Sequence, residues 1–151
     1  MIRIICVGKI KEQYLQKAIE DYSKRLSKYT KLEIIELNDI CDSNEDLILE
    51  KEKNQIEKYI SSKDYVITLE INGNSLSSTD FAKKIDSIFN TNSTIVFIIG
   101  GSYGLHQKIK SRSDYKLSFS KLTFPHQLFR VILLEQIYIV FKINNNETYH
   151  K

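Results

Sequence analysis

The sequence predicts an α/β protein, a mostly parallel sheet with helices on both faces. Three observations carry that prediction. Four short runs, Met1–Val7, Leu32–Leu37, Tyr65–Ile71 and Thr94–Ile99, are rich in β-branched and apolar residues and alternate with segments of helical periodicity. The run Thr94–Ile99 (TIVFII) is apolar almost throughout, the pattern of a strand covered on both faces, and is assigned to the sheet centre. The chain of 151 residues is 42% hydrophobic and 27% charged, with no internal repeat, low-complexity tract or Pro/Gly-rich linker, so one domain over 1–151 is expected.

Each element has a local reason. Gly8 ends the first strand. From Lys11 to Tyr29, the residues Tyr14, Leu15, Ala18, Ile19, Tyr22, Leu26 and Tyr29 recur at helical spacing with charges between them. Asp39–Asn44 is turn material, and Glu45–Ile60 reads as a charged surface helix held by Glu/Lys pairs. Asn72-Gly73-Asn74-Ser75 has turn chemistry. Ser78, Thr79 and Asp80 are capping candidates for a helix to about Phe89.

Several classes are excluded or disfavoured. No apolar run is long enough to span a bilayer, and Ile2–Val7 is too short for a signal-peptide core, so a cytoplasmic location is expected. Cys6 and Cys41 form no CxxC pair and the three histidines have no zinc-type spacing, so free thiols and no metal are expected. Charge is uneven. Residues 31–90 carry 7 basic against 13 acidic side chains, whereas residues 91–151 carry 8 against 3. Within His106–Arg130 only Asp114 opposes six basic residues, which suits a polyanionic partner or simply solvates a short helix.

The stretch Ile95–Lys142 concentrates the chemistry. A strand runs into Gly100-Gly101-Ser102-Tyr103-Gly104, where backbone amides can approach a ligand that a Cβ would block. A second short strand near Tyr115–Ser118 leads into the hydroxyl-bearing loop Phe119–Phe124. Neither GxxxxGK[ST] nor GxGxxG is present, which counts against the common nucleotide cradles. Pro125 opens a final helix, Pro125–Lys142, that is apolar nearly all round. Burying such a helix calls for the sheet on one side and a second subunit on the other, so a two-fold homodimer is expected. His126 and Arg130 share one face of it. Arg130 is suited either to an anion or to a buried ion pair, for instance with Glu135. His126 is suited to catalysis or to capping. The tail Tyr149-His150-Lys151 ends in groups that stack on bases and contact phosphate, or frays.

In order and spacing these segments resemble the RlmH family of small SPOUT-class RNA methyltransferases. The likeness is carried by Ile5-Cys6-Val7-Gly8-Lys9, Thr68-Leu69-Glu70-Ile71-Asn72-Gly73, Ile98-Ile99-Gly100-Gly101-Ser102-Tyr103-Gly104-Leu105 and Leu117 to Gln127. Arg130-Val131, Leu134 to Tyr138 and Tyr149-His150-Lys151 complete it, while Cys41–Glu50 is shorter than the usual equivalent. The resemblance implies a C-terminal trefoil knot of the α/β type, a rare exception to ordinary chain threading. It further implies S-adenosylmethionine bound by Leu69, Gly100, Phe119, Ser120, Lys121, Leu122, Thr123 and Phe124. The substrate would be a pseudouridine of 23S rRNA within assembled ribosomes, methylated at N3 by a homodimer whose site lies at the interface.

Methyl transfer to N3 requires loss of a weakly acidic proton. His126, Glu135 and His150 of the partner chain are candidates to take it, with Arg130, Tyr149 and His150 candidates to hold RNA. A competing reading is a catalytically silent RNA- or ribosome-binding protein using the same basic face. A flavodoxin-like enzyme is a third, opposed by the missing phosphate fingerprints.

Overall fold

The computed structural model describes residues 1–149. Along the chain they form β1 (Ile2–Val7), α1 (Gln13–Leu26), β2 (Leu32–Leu37), α2 (Glu45–Glu57), β3 (Tyr65–Asn74), α3 (Ser78–Phe89), β4 (Ile95–Ile99), α4 (Gln107–Arg112), β5 (Tyr115–Leu117) and α5 (His126–Asn144). The strands make one sheet in the order β2-β1-β4-β3-β5, with every pairing parallel and β4 in the middle, as its apolar sequence predicts.

Strand side chains alternate between the two faces, and each face meets its own helices. Ile2, Ile4 and Cys6 of β1 and Ile95, Phe97 and Ile99 of β4 pack with Leu26 of α1, Phe81 and Ile85 of α3, and Leu133 and Ile137 of α5. Ile5, Val7, Val96 and Ile98 point the other way, onto Ile56 of α2 and Ile109 of α4. α2 carries the expected Glu/Lys pairs, Lys53 lying 2.7 Å from Glu50 and 3.7 Å from Glu57.

Four boundaries differ from the sequence expectation. α1 is shorter at both ends than Lys11–Tyr29, and Tyr29 instead stacks on Phe141 of α5 with ring centroids 5.8 Å apart. β3 continues through Asn72-Gly73-Asn74, which turn chemistry assigned to a loop. Its register against Leu117 jumps between Leu69 and Asn74, so residues between them bulge from the ladder. A Cβ on Gly73 would lie 2.8 Å from the Lys116 carbonyl oxygen, so only glycine lets the two backbones meet there. α3 is capped by Ser77, whose hydroxyl accepts from the Asp80 amide at 3.1 Å, one residue before the expected candidates. α5 begins at His126 and runs to Asn144, with Pro125 just outside it.

α5 lies over the sheet against α1 and α3, burying Leu133, Leu134, Ile137 and Val140. Leu128 is 40% exposed and Val131, Ile132 and Ile139 are half-buried, so the helix keeps apolar surface on a second side. Among the described residues no helix is long and apolar enough to cross a membrane, and no group of three metal-ligand side chains converges.

Candidate active site

All five strands point the same way, so their carboxyl ends gather along one edge, where α/β sheets bind ligands. Segments leaving β3, β4 and β5 converge there on a cavity of about 170 Å³. Of the eight residues expected to hold a cofactor, Leu69, Gly100, Phe119, Ser120, Leu122, Thr123 and Phe124 line it. Lys121 shares the loop but does not line the cavity.

Local chemistry fixes these walls. A Cβ on Gly100 would stand 2.6 Å from the Gly104 carbonyl oxygen, because the loop folds back on itself. The Gly104 amide donates to the Gly101 carbonyl at 3.1 Å, and Gly104 itself has φ +78. The opposite wall is held by Ser118. Its hydroxyl donates to the Ile71 carbonyl at 2.8 Å, its amide donates to the Asn74 carbonyl at 2.8 Å, and Ser120 Oγ accepts from the Leu122 amide at 3.0 Å. Phe129 of α5 anchors the loop, with ring centroids 5.1 Å from Phe119 and 5.8 Å from Phe124.

Sequence reasoning did not single out Glu70, Ile71, Ser118 or Phe129, which also line this cavity. Glu70 had a visible signal, as the one charge in the strand YVITLEI. Its carboxylate accepts from the hydroxyl of the fully buried Thr68 at 2.6 Å.

A second, more polar cavity of about 250 Å³ adjoins the first. Gly101 and His126 line both, forming the wall between them. Around the second stand Lys9, Lys11, Asp39, Glu52 and Tyr103. His126 is exposed and its imidazole makes no hydrogen bond to another described residue, so the ring is available at the junction.

Of the two roles open to Arg130, this chain shows the buried ion pair. The side chain does not face solvent to grip a phosphate, since only 3% of it is exposed. Its guanidinium donates to Glu36 Oε2 at 2.9 Å and to the carbonyls of Val7 and Gly8 at 2.9 and 2.7 Å. Glu36 also accepts from the Ile10 amide at 2.9 Å. The ion pair anticipated with Glu135 is therefore made with Glu36, a residue of β2 that is remote in sequence. Nε of Arg130 is buried without a partner.

Glu135 lines neither cavity of its own chain and stands near the Tyr22 phenol of α1, which burial first and this carboxylate second push up to about 12. Tyr149 is half-buried at the other end of α5. Just before it, Glu147 accepts from the Tyr29 hydroxyl at 2.8 Å and lies 3.9 Å from both Lys28 and Lys142. His150 lies outside the described residues. In the basic window, Arg112 is engaged with Asp114 at 3.0 Å and with the carbonyls of Ser61 and Asp64 at 3.1 and 2.9 Å, leaving Lys108 as an exposed cation of that short helix.

A parallel sheet with a glycine loop and a serine-locked loop closing on one cavity at its carboxyl edge is the architecture of a ligand-binding α/β enzyme. The chain belongs to the SPOUT methyltransferase family, whose sequence model, described as a predicted SPOUT methyltransferase, matches residues 1–150. It is 54% identical, over 157 aligned positions and 99% of each chain, to a Clostridium botulinum protein named ribosomal RNA large subunit methyltransferase H. A Clostridium kluyveri protein of the same name is 50% identical over 99% of each chain. In fold it matches a solved probable methylase family protein from Haemophilus influenzae, with a TM-score of 0.59 at 14% identity, over 99% of this chain and 70% of that one.

Proposed function

We propose that this methyltransferase moves a methyl group from S-adenosylmethionine to N3 of a pseudouridine in 23S rRNA, within ribosomes of the cytoplasm. The observation that carries the reading is the pair of adjoining cavities. One is apolar and walled by the glycine loop, the other is polar and rimmed by lysines, and they meet at Gly101 and His126. Full-length identity to proteins named for large-subunit rRNA methylation supplies the substrate class.

The residues present suit the donor. Leu69, Ile99, Leu117, Leu122 and Phe124 offer an apolar slot for an adenine ring, and Gly100 allows backbone groups to approach where a side chain would obstruct. Glu70, oriented by Thr68, offers an acceptor for hydroxyl or ammonium groups. When bound, the donor supplies an electrophilic methyl carbon on sulfur. The chain's own residues bind, orient and exclude water. The Ser118 hydrogen bonds and the Phe119–Phe129 contact hold the loop rigid, so positioning supplies much of the rate. Lys9 and Lys11 stand where the RNA backbone would pass into the second cavity. We also propose the C-terminal trefoil path, which the family's fold implies for the chain returning from β5 into α5.

A homodimer belongs to the same proposal. α5 has 19 residues, a length of about 28 Å at 1.5 Å per residue. Its carboxyl end and Glu147 are docked against Tyr29, at the far end from His126. A chain's own Tyr149 is therefore distant from its own cavities, whereas antiparallel packing of two α5 helices would bring the partner's tail to them. The half-buried apolar side chains of α5 and the 40% exposed Leu128 provide the surface.

The test is to incubate the protein and methyl-labelled S-adenosylmethionine with intact ribosomes and with free rRNA, then map the label. Label on N3 of a large-subunit pseudouridine is expected, and it should vanish when residues 149–151 are deleted from a variant that remains dimeric. Absence of label from both substrates would defeat the enzyme reading.

A further inference from the structure

We propose that Glu52 is the proton acceptor at N3 of the target base, working from the second cavity across Gly101 from the methyl donor. The inference rests on the function proposed above and names a residue of that same site. Glu52 sits on α2, a helix whose charged sequence suggested only a solvated surface. It is 8% exposed, and its carboxylate makes no hydrogen bond or ion pair with another described residue. Its neighbour Lys53 is turned away to Glu50 and Glu57. Only Arg130 Nε is a fully enclosed polar side-chain atom without a partner among the described residues, so the Glu52 oxygens open onto the second cavity, where a ligand's N–H can meet them.

Its position is specific. Oε2 of Glu52 lies 3.3 Å from the point where a Cβ on Gly101 would stand, and Gly101 lines both cavities. The carboxylate therefore reaches the wall at which acceptor nitrogen and donor methyl must meet. The groups facing it across the cavity are Asp39, Lys9, Lys11, Tyr103, His126 and Arg130. Arg130 is occupied by Glu36, so no guanidinium neutralises Glu52. Asp39 is held over Gly8, whose φ of +90 leaves room for it; a Cβ there would come within 2.9 Å of Asp39 Oδ1. Burial first, then the Asp39 charge, raises the Glu52 pKa above its ordinary value. A carboxylate made more basic in this way is better matched to accepting a proton near neutral pH.

The step balances without an added reactant. The N3–H bond breaks, its proton passes to Glu52 and its electron pair stays on N3. That pair forms the new N–C bond as the C–S bond breaks, the sulfur keeping the electrons as a neutral thioether. Proton loss to water from Glu52 resets the site.

The experiment measures kcat, KM for ribosomes and donor Kd for wild type, Glu52→Gln, Glu52→Asp and Asp39→Asn across a pH series. Glu52→Gln is expected to lower kcat by roughly 10²–10⁴-fold and to abolish its acid limb, with KM and donor Kd nearly unchanged. Glu52→Asp should recover part of the rate and the acid limb. Asp39→Asn should move that limb to lower pH, since a like charge has been removed. Wild-type kcat and an unchanged pH profile in Glu52→Gln would overturn the assignment, as would an equal loss in KM or donor affinity. If wild type itself labels no rRNA, the reading of the function falls, and this assignment with it.

Discussion

The Gly100–Gly104 loop gives the sharpest test of the donor cavity, because its glycines are required for different reasons. A Cβ on Gly100 would stand 2.6 Å from the Gly104 carbonyl oxygen and 2.8 Å from its carbon, well inside contact distance, and both atoms are backbone. The loop must shift in Gly100→Ala, and overpacking of that kind costs about 1–3 kcal/mol. For a chain of this size that is roughly 2–12 °C in Tm. The shift also displaces the carboxyl end of β4, which lines the cavity. Gly104→Ala meets no atom within 4 Å, but φ is +78, so it carries backbone strain of roughly 1–2 kcal/mol and leaves the cavity wall in place. Calorimetric titration with S-adenosylmethionine, alongside thermal melts, separates the two. Gly100→Ala should lose donor binding by at least about tenfold, equivalent to 1.4 kcal/mol. Gly104→Ala should lose only stability. Unchanged affinity in Gly100→Ala, or equal affinity losses in both variants, would refute the argument.

Other outcomes follow from buried charge and burial. Arg130→Met should destabilise by about 1–3 kcal/mol in urea melts, since it leaves two strand-end carbonyls without their donor and removes the cation beside Glu36; adding Glu36→Gln should cost less than the two single losses summed. Cys6, whose thiol burial pushes up to about 12, should resist a thiol reagent at pH 8 while the exposed Cys41 reacts. One thiol per native chain and two per unfolded chain are expected in a colorimetric titration. Glu52→Gln should raise Tm at pH 7. The folded-state pKa of Glu52 lies above its unfolded value, so wild-type stability is fullest below the ordinary carboxylate range and falls as pH rises through the raised value. The gain should therefore disappear at about pH 3, below the ordinary carboxylate value, where both states of wild type bind the proton.

The strands and their order of burial were legible in the sequence because period-two and continuous apolar patterns report directly on which faces are covered. β2 matches its predicted bounds, and β4, the most apolar run, lies at the centre. That the Gly100 and Phe119–Phe124 loops leave strand ends on one cavity was legible from their places in the strand order, whereas their assignment to a methyl donor rests on resemblance to a family. Long-range polar pairing was not legible. Arg130 and Glu36 are 94 positions apart, and nothing local distinguishes an arginine that will be buried from one that will meet RNA. Glu52 was hidden for the opposite reason. In a segment as charged as Glu45–Glu57, one inward carboxylate leaves no mark on the helical pattern, and only the packing of α2 beside Gly101 reveals it. The strand continuation through Asn72–Asn74 was obscured by residues whose turn preference the bulge exploits instead.

Arg130 also explains how the two cavities keep their relation. Its three acceptors are the ends of β1 and the Glu36 side chain of β2, so one guanidinium ties the first turns of α5 to the carboxyl edge of the sheet. His126 is one turn earlier on the same face, and the loop that lines the donor cavity enters α5 immediately before it. Rotation of α5 would therefore move His126, Phe129 and the Phe119–Phe124 loop together relative to Glu52, which is held by α2 on the other face of the sheet. The planar fork of arginine resists that rotation better than the single ammonium of lysine. Arg130→Lys, which keeps the charge, should consequently lose kcat beyond its loss of stability. The measurement is single-turnover methyl transfer at a temperature where both proteins are fully folded, and equal rates there would show that Arg130 serves stability alone.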